Sequence, residues 1–284
     1  SLRSRKVIAL LVLYVASSVA STYVFTEVLQ RVEEELAAQL LVARTTEPGT
    51  LTQAVMESPE LRGVLARLVR DDALAQSLLR VPPIALVYGW IALTFAPIFV
   101  ALTSSDAIAS EVATGSVRYA LFRTDRAAWA AGKLVGQTAL LAVGVALGAG
   151  AAWITGYARL MSFAPLDTAI WIARYALVAF FFAYAHLGLV LGTSQLTRSV
   201  AWSRALGLLA IASVFGVHAW LNRDRVHDLA PAWIDSLSQI FPVAHRLDLW
   251  RPAWGESVPA MVILVALGTT YFSLGYLRFA RRDA

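Results

Sequence analysis

Gly132-Lys133 is the only Gly-Lys pair in the chain, and so the first place to look for a phosphate-cradling loop. Such a loop needs a glycine five residues earlier, where backbone N–H groups curl around the phosphates. It also needs Ser or Thr after the lysine to hold magnesium. Here those positions are Ala127 and Leu134. The sequence therefore carries no Walker A loop, and any nucleotide hydrolysis it depends on belongs to another polypeptide. His186, His218, His227 and His245 lack metal-ligand spacing, and the chain has no cysteine to supply a thiolate. A lone histidine among aromatics is more often packed and hydrogen-bonded than a ligand. A Ser/His/Asp triad is a matter of geometry that residue order does not show. The sequence assigns no catalytic residue, no metal site and no cofactor to this chain, which is not expected to be an enzyme.

Charge with a pattern is concentrated in 104–132, where Asp106 and Glu111 are followed by Arg118, Arg123 and Arg126, with Lys133 just beyond. Acids on the N-terminal side of a helical piece and bases after it make a two-signed surface suited to pairing with another protein. Thr114-Gly115-Ser116 marks a turn inside the segment. A solvated loop without a partner is the bland alternative.

The elements that must position this segment are membrane helices. The chain has 284 residues, of which 58% are hydrophobic and 15% charged, and its mean hydropathy is +0.63. A span needs about 20 apolar residues, and six stretches qualify: 7–26, 83–103, 133–157, 168–192, 204–221 and 258–277. Runs this long, whose backbone must be satisfied within lipid, form helices. The expected fold is all-α, a single polytopic domain over 1–284 with six transmembrane helices. Loops 104–132 and 193–203 share a side with both termini, and that side holds twelve basic residues against four acidic, a net of +8. The other side holds twelve against fifteen, a net of −3, and together they give the chain's +5. Basic residues near span ends stay inside, so both termini are expected to be cytoplasmic. The pI of about 9.7 is then a signal of topology and needs no nucleic-acid partner. The first span also mimics a secretory signal, with basic Arg3-Ser4-Arg5-Lys6 and small Ser18-Val19-Ala20, but its apolar run continues through Tyr23-Val24-Phe25 to spanning length. The basic residues are 22 Arg and 2 Lys, a usage associated with GC-rich bacterial coding.

Two pieces are expected outside the membrane on the far side. In 27–80, Val28, Val32, Leu36 and Leu40 continue the first span as an amphipathic helix, and Glu47-Pro48-Gly49 breaks it. Ser58-Pro59-Glu60 then starts a second helix towards Leu79. This insertion either caps the bundle or docks an external protein. The other piece, 222–256, is rich in aromatics, with Trp233, Trp250 and Trp254. Its bland reading is an interfacial aromatic belt.

Within the third span, Gly132, Gly136, Gly144 and Gly148 recur at multiples of four, and Gly188 and Gly192 repeat the spacing on the fourth. Four residues advance a helix by about 400°, so these glycines form drifting patches where backbones approach closely. Packing of spans three and four within the chain is one use for them, and a dimer seam is the other. Pro97 removes a backbone donor from span two and is expected to kink it. Arg174, about six residues inside span four, either snorkels to the interface or is functional.

Over Thr103 to Gly136 the order of residues resembles the permease subunits of type 2 ABC exporters, in the branch that includes the nitrous-oxide reductase maturation permease. The likeness rests on a membrane-exit segment, Glu111 on a short helix, the Gly115 turn, Arg126, and Gly132-Lys133 opening a span. It departs at Phe122-Arg123-Thr124-Asp125, where such permeases more often have an apolar-Pro pair, and in the larger outer segment. The resemblance implies a permease of the bacterial inner membrane paired with a second permease chain, identical or related. It implies two copies of a separate ATPase, which would bind ATP and magnesium and dock on 104–132. It also implies that 222–256 holds short re-entrant helices closing the path from outside. Few intramembrane charges favour a lipidic or amphipathic substrate. The alternative is mechanotransmission, in which no solute crosses and ATPase motion works a periplasmic partner.

Overall fold

The computed structural model describes residues 5–39, 62–63, 66, 71–160, 163–221 and 238–281. In chain order the helices are α1 (Arg5–Gln39), α2 (Asp72–Leu78), α3 (Pro83–Ser104), α4 (Ala109–Ala113), α5 (Ser116–Leu121), α6 (Arg126–Arg159), α7 (Pro165–Ser194), α8 (Val200–Leu221), α9 (Arg246–Trp250) and α10 (Trp254–Ala280). A 3₁₀ turn over Pro242–His245 precedes α9. Six of these helices, α1, α3, α6, α7, α8 and α10, are long and apolar enough to cross a membrane, and the protein is an all-helical, multi-pass membrane protein.

α7 is the axis of the bundle. Tyr175, Val178, Phe182, Leu187 and Leu191 are fully buried along it, and α3, α6, α8 and α10 pack around it while α1 lies against α6 and α3. The interior forms two stacked apolar clusters. One is centred on Tyr88, Tyr175 and Leu264, the other on Phe99, Leu187 and Leu191. Contacts Lys6–Asp106 and Arg126–Ala280 put the start of α1, the turn after α3, the start of α6 and the end of α10 at one end of the bundle. We call this the proximal end. Glu27–Arg159 and Arg174–Arg251 lie at the other, distal end.

Two sequence expectations change. The third span begins at Arg126 and not near Lys133, because Asp125 caps the helix by accepting from the Ala128 N–H at 2.6 Å. The resulting 34-residue helix is roughly 50 Å long, well beyond a 30 Å apolar layer. The second helix of the insertion does not run unbroken to Leu79. Asp71 is extended, with φ −146°, and caps α2 by accepting from the Leu74 N–H at 3.0 Å. Most of 40–70 lies outside the described residues, and so does the break at Glu47-Pro48-Gly49.

The glycines also pair differently. Gly144 faces Phe99 of α3 and Leu11 of α1, and Gly148 faces Tyr14 of α1, so this patch seats span three on spans one and two. A β-carbon at Gly132 or Gly136 would meet nothing within 4 Å among the described residues. On α7, a β-carbon at Gly188 would overlap the backbone of Gly268, and one at Gly192 would come within 2.5 Å of the Tyr271 carbonyl oxygen. Gly275 approaches the backbone of Gly192 in turn. Span four thus touches span six backbone to backbone. Pro97 lies inside α3, which continues past it to Ser104.

At the distal end, α9 and its 3₁₀ turn fold back over the bundle. Leu249 is fully buried and the Trp250 ring sits 5.2 Å from Tyr175, against the backbone of Gly89. The part of 222–256 before Ser238, including Trp233, lies outside the described residues. Arg174 is buried, donates to the Arg251 carbonyl at 2.8 Å and the Ser257 hydroxyl at 3.0 Å, and lies 4.1 Å from the Trp254 ring centre. It does not snorkel. It ties span four to the root of the last span.

Candidate interaction surface

Segment 104–125 joins α3 to α6 as two short helices at the proximal end, and its root is fastened before its tip is presented. The first fastening is Asp106. Its side chain, 14% exposed, accepts from Lys6 of α1 at 3.2 Å on both oxygens and from Arg204 of α8 at 2.9 and 2.5 Å. Burial alone would push this carboxyl up, but the Arg204 hydrogen bonds and the Lys6 charge outweigh it and hold it below its ordinary value. Asp106 therefore stays ionised and links spans one and five to the start of the segment.

The second fastening is a string of hydroxyls. The Ile108 and Ala109 N–H groups, orphaned at the start of α4, donate to Ser194 Oγ at 3.4 and 3.1 Å. Ser194 lies 3.0 Å from Ser203 Oγ of α8, and Ser203 also contacts the Ser105 carbonyl. A carbonyl only accepts and a serine has one proton. Ser203 must therefore donate to Ser105, and Ser194 to Ser203. All donors run one way around a buried ring joining α4 to spans four and five. Ser104 adds a bond to Gln137 of α6 at 3.0 Å.

Glu111 is ion-paired to Lys133 of the same chain, which lies 5.6 Å from the Trp129 ring centre. Both acids expected on the contact surface are thus held by cations within the chain. Gly115 sits at φ +71°, a left-handed position that a side chain would strain, and turns α4 into α5. The Thr114 and Ser116 hydroxyls, 3.1 Å apart, each contact the Glu111 carbonyl and close this turn.

What α5 and its end present outward is aromatic and basic. Tyr119 is 79% exposed and Phe122 85%, and Arg118 and Arg123 beside them are exposed. The expectation of a two-signed surface becomes one of arginines and aromatics. The two aromatics were overlooked in the sequence, although Phe122 stands where the family likeness breaks, which was the one signal available. Arg118 and Arg126, with Arg198 from the loop after α7, line a cleft of about 300 Å³ between this segment and the end of α10. Arg126 also donates to the Ala280 carbonyl at 2.8 Å. Arg123 is not part of the cleft lining. Among the described residues no three His, Cys, Asp or Glu side chains gather as a metal site.

The surface thus has a fastened root, a left-handed turn and an exposed tip, on a six-helix membrane bundle. A search of curated proteins returned no match. The family model described as ABC-2 family transporter protein matches residues 1–284, the full length of the chain. The chain belongs to the ABC-2 transporter family, as a membrane permease subunit that works with an ABC ATPase.

Proposed function

We propose that this permease is the membrane half of an exporter of a lipidic or amphipathic substrate, in a bacterial inner membrane, driven through 104–132. Two permease chains and two ATPase subunits would form the complex, with ATP and magnesium held by the ATPases. Tyr119 and Phe122 would enter the ATPase, with Arg118 and Arg123 at the rim. The observation that carries the reading is the contrast between the exposed tip and the buried root. A large aromatic exposed to 85% outside the spans has its natural use in a contact. The root, fixed by Asp106 and by the Ser194–Ser203 ring, would pass a push at the tip to spans one, four and five. A second copy is supported by α1 and α8, of whose apolar stretches only 28% and 17% are buried within the chain, against 67% for α3.

The test is co-purification of the ATPase with the double variant Tyr119→Ala/Phe122→Ala. Interface aromatics of this kind cost about 2 kcal/mol or more when truncated, so the ATPase should be lost while the permease still inserts. Undiminished co-purification would place the contact elsewhere.

Mechanotransmission is supported by a charged distal cluster. Arg251 lies within 4 Å of Asp71, Asp248 and Glu256, uniting the root of the insertion with the segment before span six on an accessible face. A periplasmic protein retained by the wild type and released by Arg251→Glu would favour it over export.

A further inference from the structure

Segment 240–251 climbs alongside the spans before the chain enters α10. The Ile240 carbonyl accepts from Tyr271, in the proximal half of α10. Arg246 donates to the Thr94 hydroxyl at 3.3 Å, halfway along α3. Trp250 then lies against Gly89 and Tyr175, and the Arg251 carbonyl takes Arg174 at the distal end. The guanidinium of Arg246 is thus held at mid-bundle. α3 has 22 residues and none is charged, so it is roughly 33 Å long and matches a 30 Å apolar layer. Its midpoint therefore falls inside that layer. Arg251 has Asp71, Asp248 and Glu256 within 4 Å, but no carboxylate among the described residues pairs with Arg246. Thr94 is the one group it bonds among them, and its other nitrogens are not sealed in the core. The surroundings are apolar. Trp90 and Ile98, one turn either side of Thr94 on the same stripe of α3, are 50% and 45% exposed, and Leu247 beside Arg246 is exposed too.

We propose that Arg246 and Thr94 form the headgroup subsite for the transported substrate, an amphiphile with an acidic head whose chain lies along Trp90 and Ile98. The proposal rests on the export reading above and adds the charge of the substrate to it. An ionisable group inside a membrane is costly, and such groups pair with one another or mark substrate paths. The Thr94 hydroxyl fixes where the guanidinium sits but brings no counter-charge. A carboxylate or phosphate head supplies that charge and takes two guanidinium donors at once. Dry surroundings strengthen the pair. A neutral head would leave the cation unbalanced, so the site selects by charge while the apolar stripe takes the chain.

The experiment uses the full chain with its ATPase in phosphatidylcholine proteoliposomes, photolabelled with a diazirine-bearing oleyl phosphate or with the alcohol of the same chain. In the wild type the phosphate should label residues 90–98 about tenfold more than the alcohol, the lower end of the range for a hydrogen bond to a charged group. Arg246→Gln should remove that preference and leave labelling by the alcohol unchanged. Thr94→Asp should remove it too, by setting a carboxylate against the guanidinium, and decides alone if Arg246→Gln does not fold. Arg80→Gln, which removes an exposed charge just before α3, should change nothing. Competition by excess oleate and by excess phosphatidylglycerol tells a carboxylate head from a phosphate one. Equal labelling by the two probes, a preference that survives the Arg246 and Thr94 variants, or equal loss in Arg80→Gln overturns the subsite. ATP-driven movement of either probe across the vesicle membrane would then leave export standing. Selective labelling that depends on Arg246, without any ATP-driven movement, keeps the acidic-head site but overturns export and the site's part in it.

Discussion

Asp106 holds cations from two different spans, so removing its charge loosens both at once. Asp106→Asn should lower substrate-coupled ATPase turnover without impairing insertion, and reduce stability by about 1.5–3 kcal/mol, the range for hydrogen bonds to charged groups. Lys6→Gln, which leaves the Arg204 bonds, should cost less. Because the folded carboxyl titrates below its ordinary value, the clamp is present at neutral pH and fails only as pH falls through that lowered value. Acidification from pH 8 to pH 6 should therefore not mimic Asp106→Asn. Glu111 is open to a sharper test, since its partner Lys133 is now known. Glu111→Lys should depress coupling, and the swap Glu111→Lys/Lys133→Glu should restore most of it, measured as ATPase activity of the complex. No restoration would return Glu111 to the ATPase contact as its primary role. The sequence marked Asp106 and Glu111 as important but not what each one faces. Lys6 and Arg204 are about a hundred positions from Asp106, and Lys133 reaches Glu111 only because α6 starts a full two turns early.

Small-residue spacing was legible along the third and fourth spans, but periodicity identifies a face without naming its neighbour. Both faces proved to be used, Gly144 and Gly148 against side chains, Gly188 and Gly192 against backbone. That difference sets the cost of substitution. Phe99 and Tyr14 can yield by moving a ring, whereas the backbones of Gly268 and Tyr271 cannot. Gly188→Leu should therefore be far more damaging than Gly144→Ala, at the top of the 1–3 kcal/mol overpacking range or beyond. Thermal melting in detergent would show it. Gly132→Leu, with open space around it, should leave the melting temperature of the isolated chain unchanged. Any loss of complex assembly in that variant would identify Gly132 and Gly136 as a seam with another chain.

The six spans were legible because an apolar run of bilayer length allows only a helix, and their order follows from the chain. What the sequence could not yield was their packing, since α7 becomes the axis through contacts with four other spans that no local pattern encodes. Orientation rests on the contrast of +8 against −3 in loop charge. A single cysteine at Ala253, exposed at the distal end, should react with an impermeant maleimide in intact cells. One at Ser116 should react only after the membrane is opened. The reverse pattern would turn the protein over and move the ATPase to the distal face.

The backbone contact between α7 and α10 also limits how the protein can work. Two helices that touch at Gly188–Gly268 and Gly192–Gly275 have no side-chain layer to shear, so they behave as a fixed post. α1 and α8 are joined to segment 104–125 through Lys6, Arg204 and Ser203, and we expect them to tilt about that post. Under the proposed coupling, a stroke delivered at the tip would be spent on the outer spans, at the boundary where a second chain would stand. Spin labels at Tyr184 and Thr269, whose hydroxyls lie 3.2 Å apart across the post, should keep one separation in every nucleotide state. Labels on α1 and α8 should not.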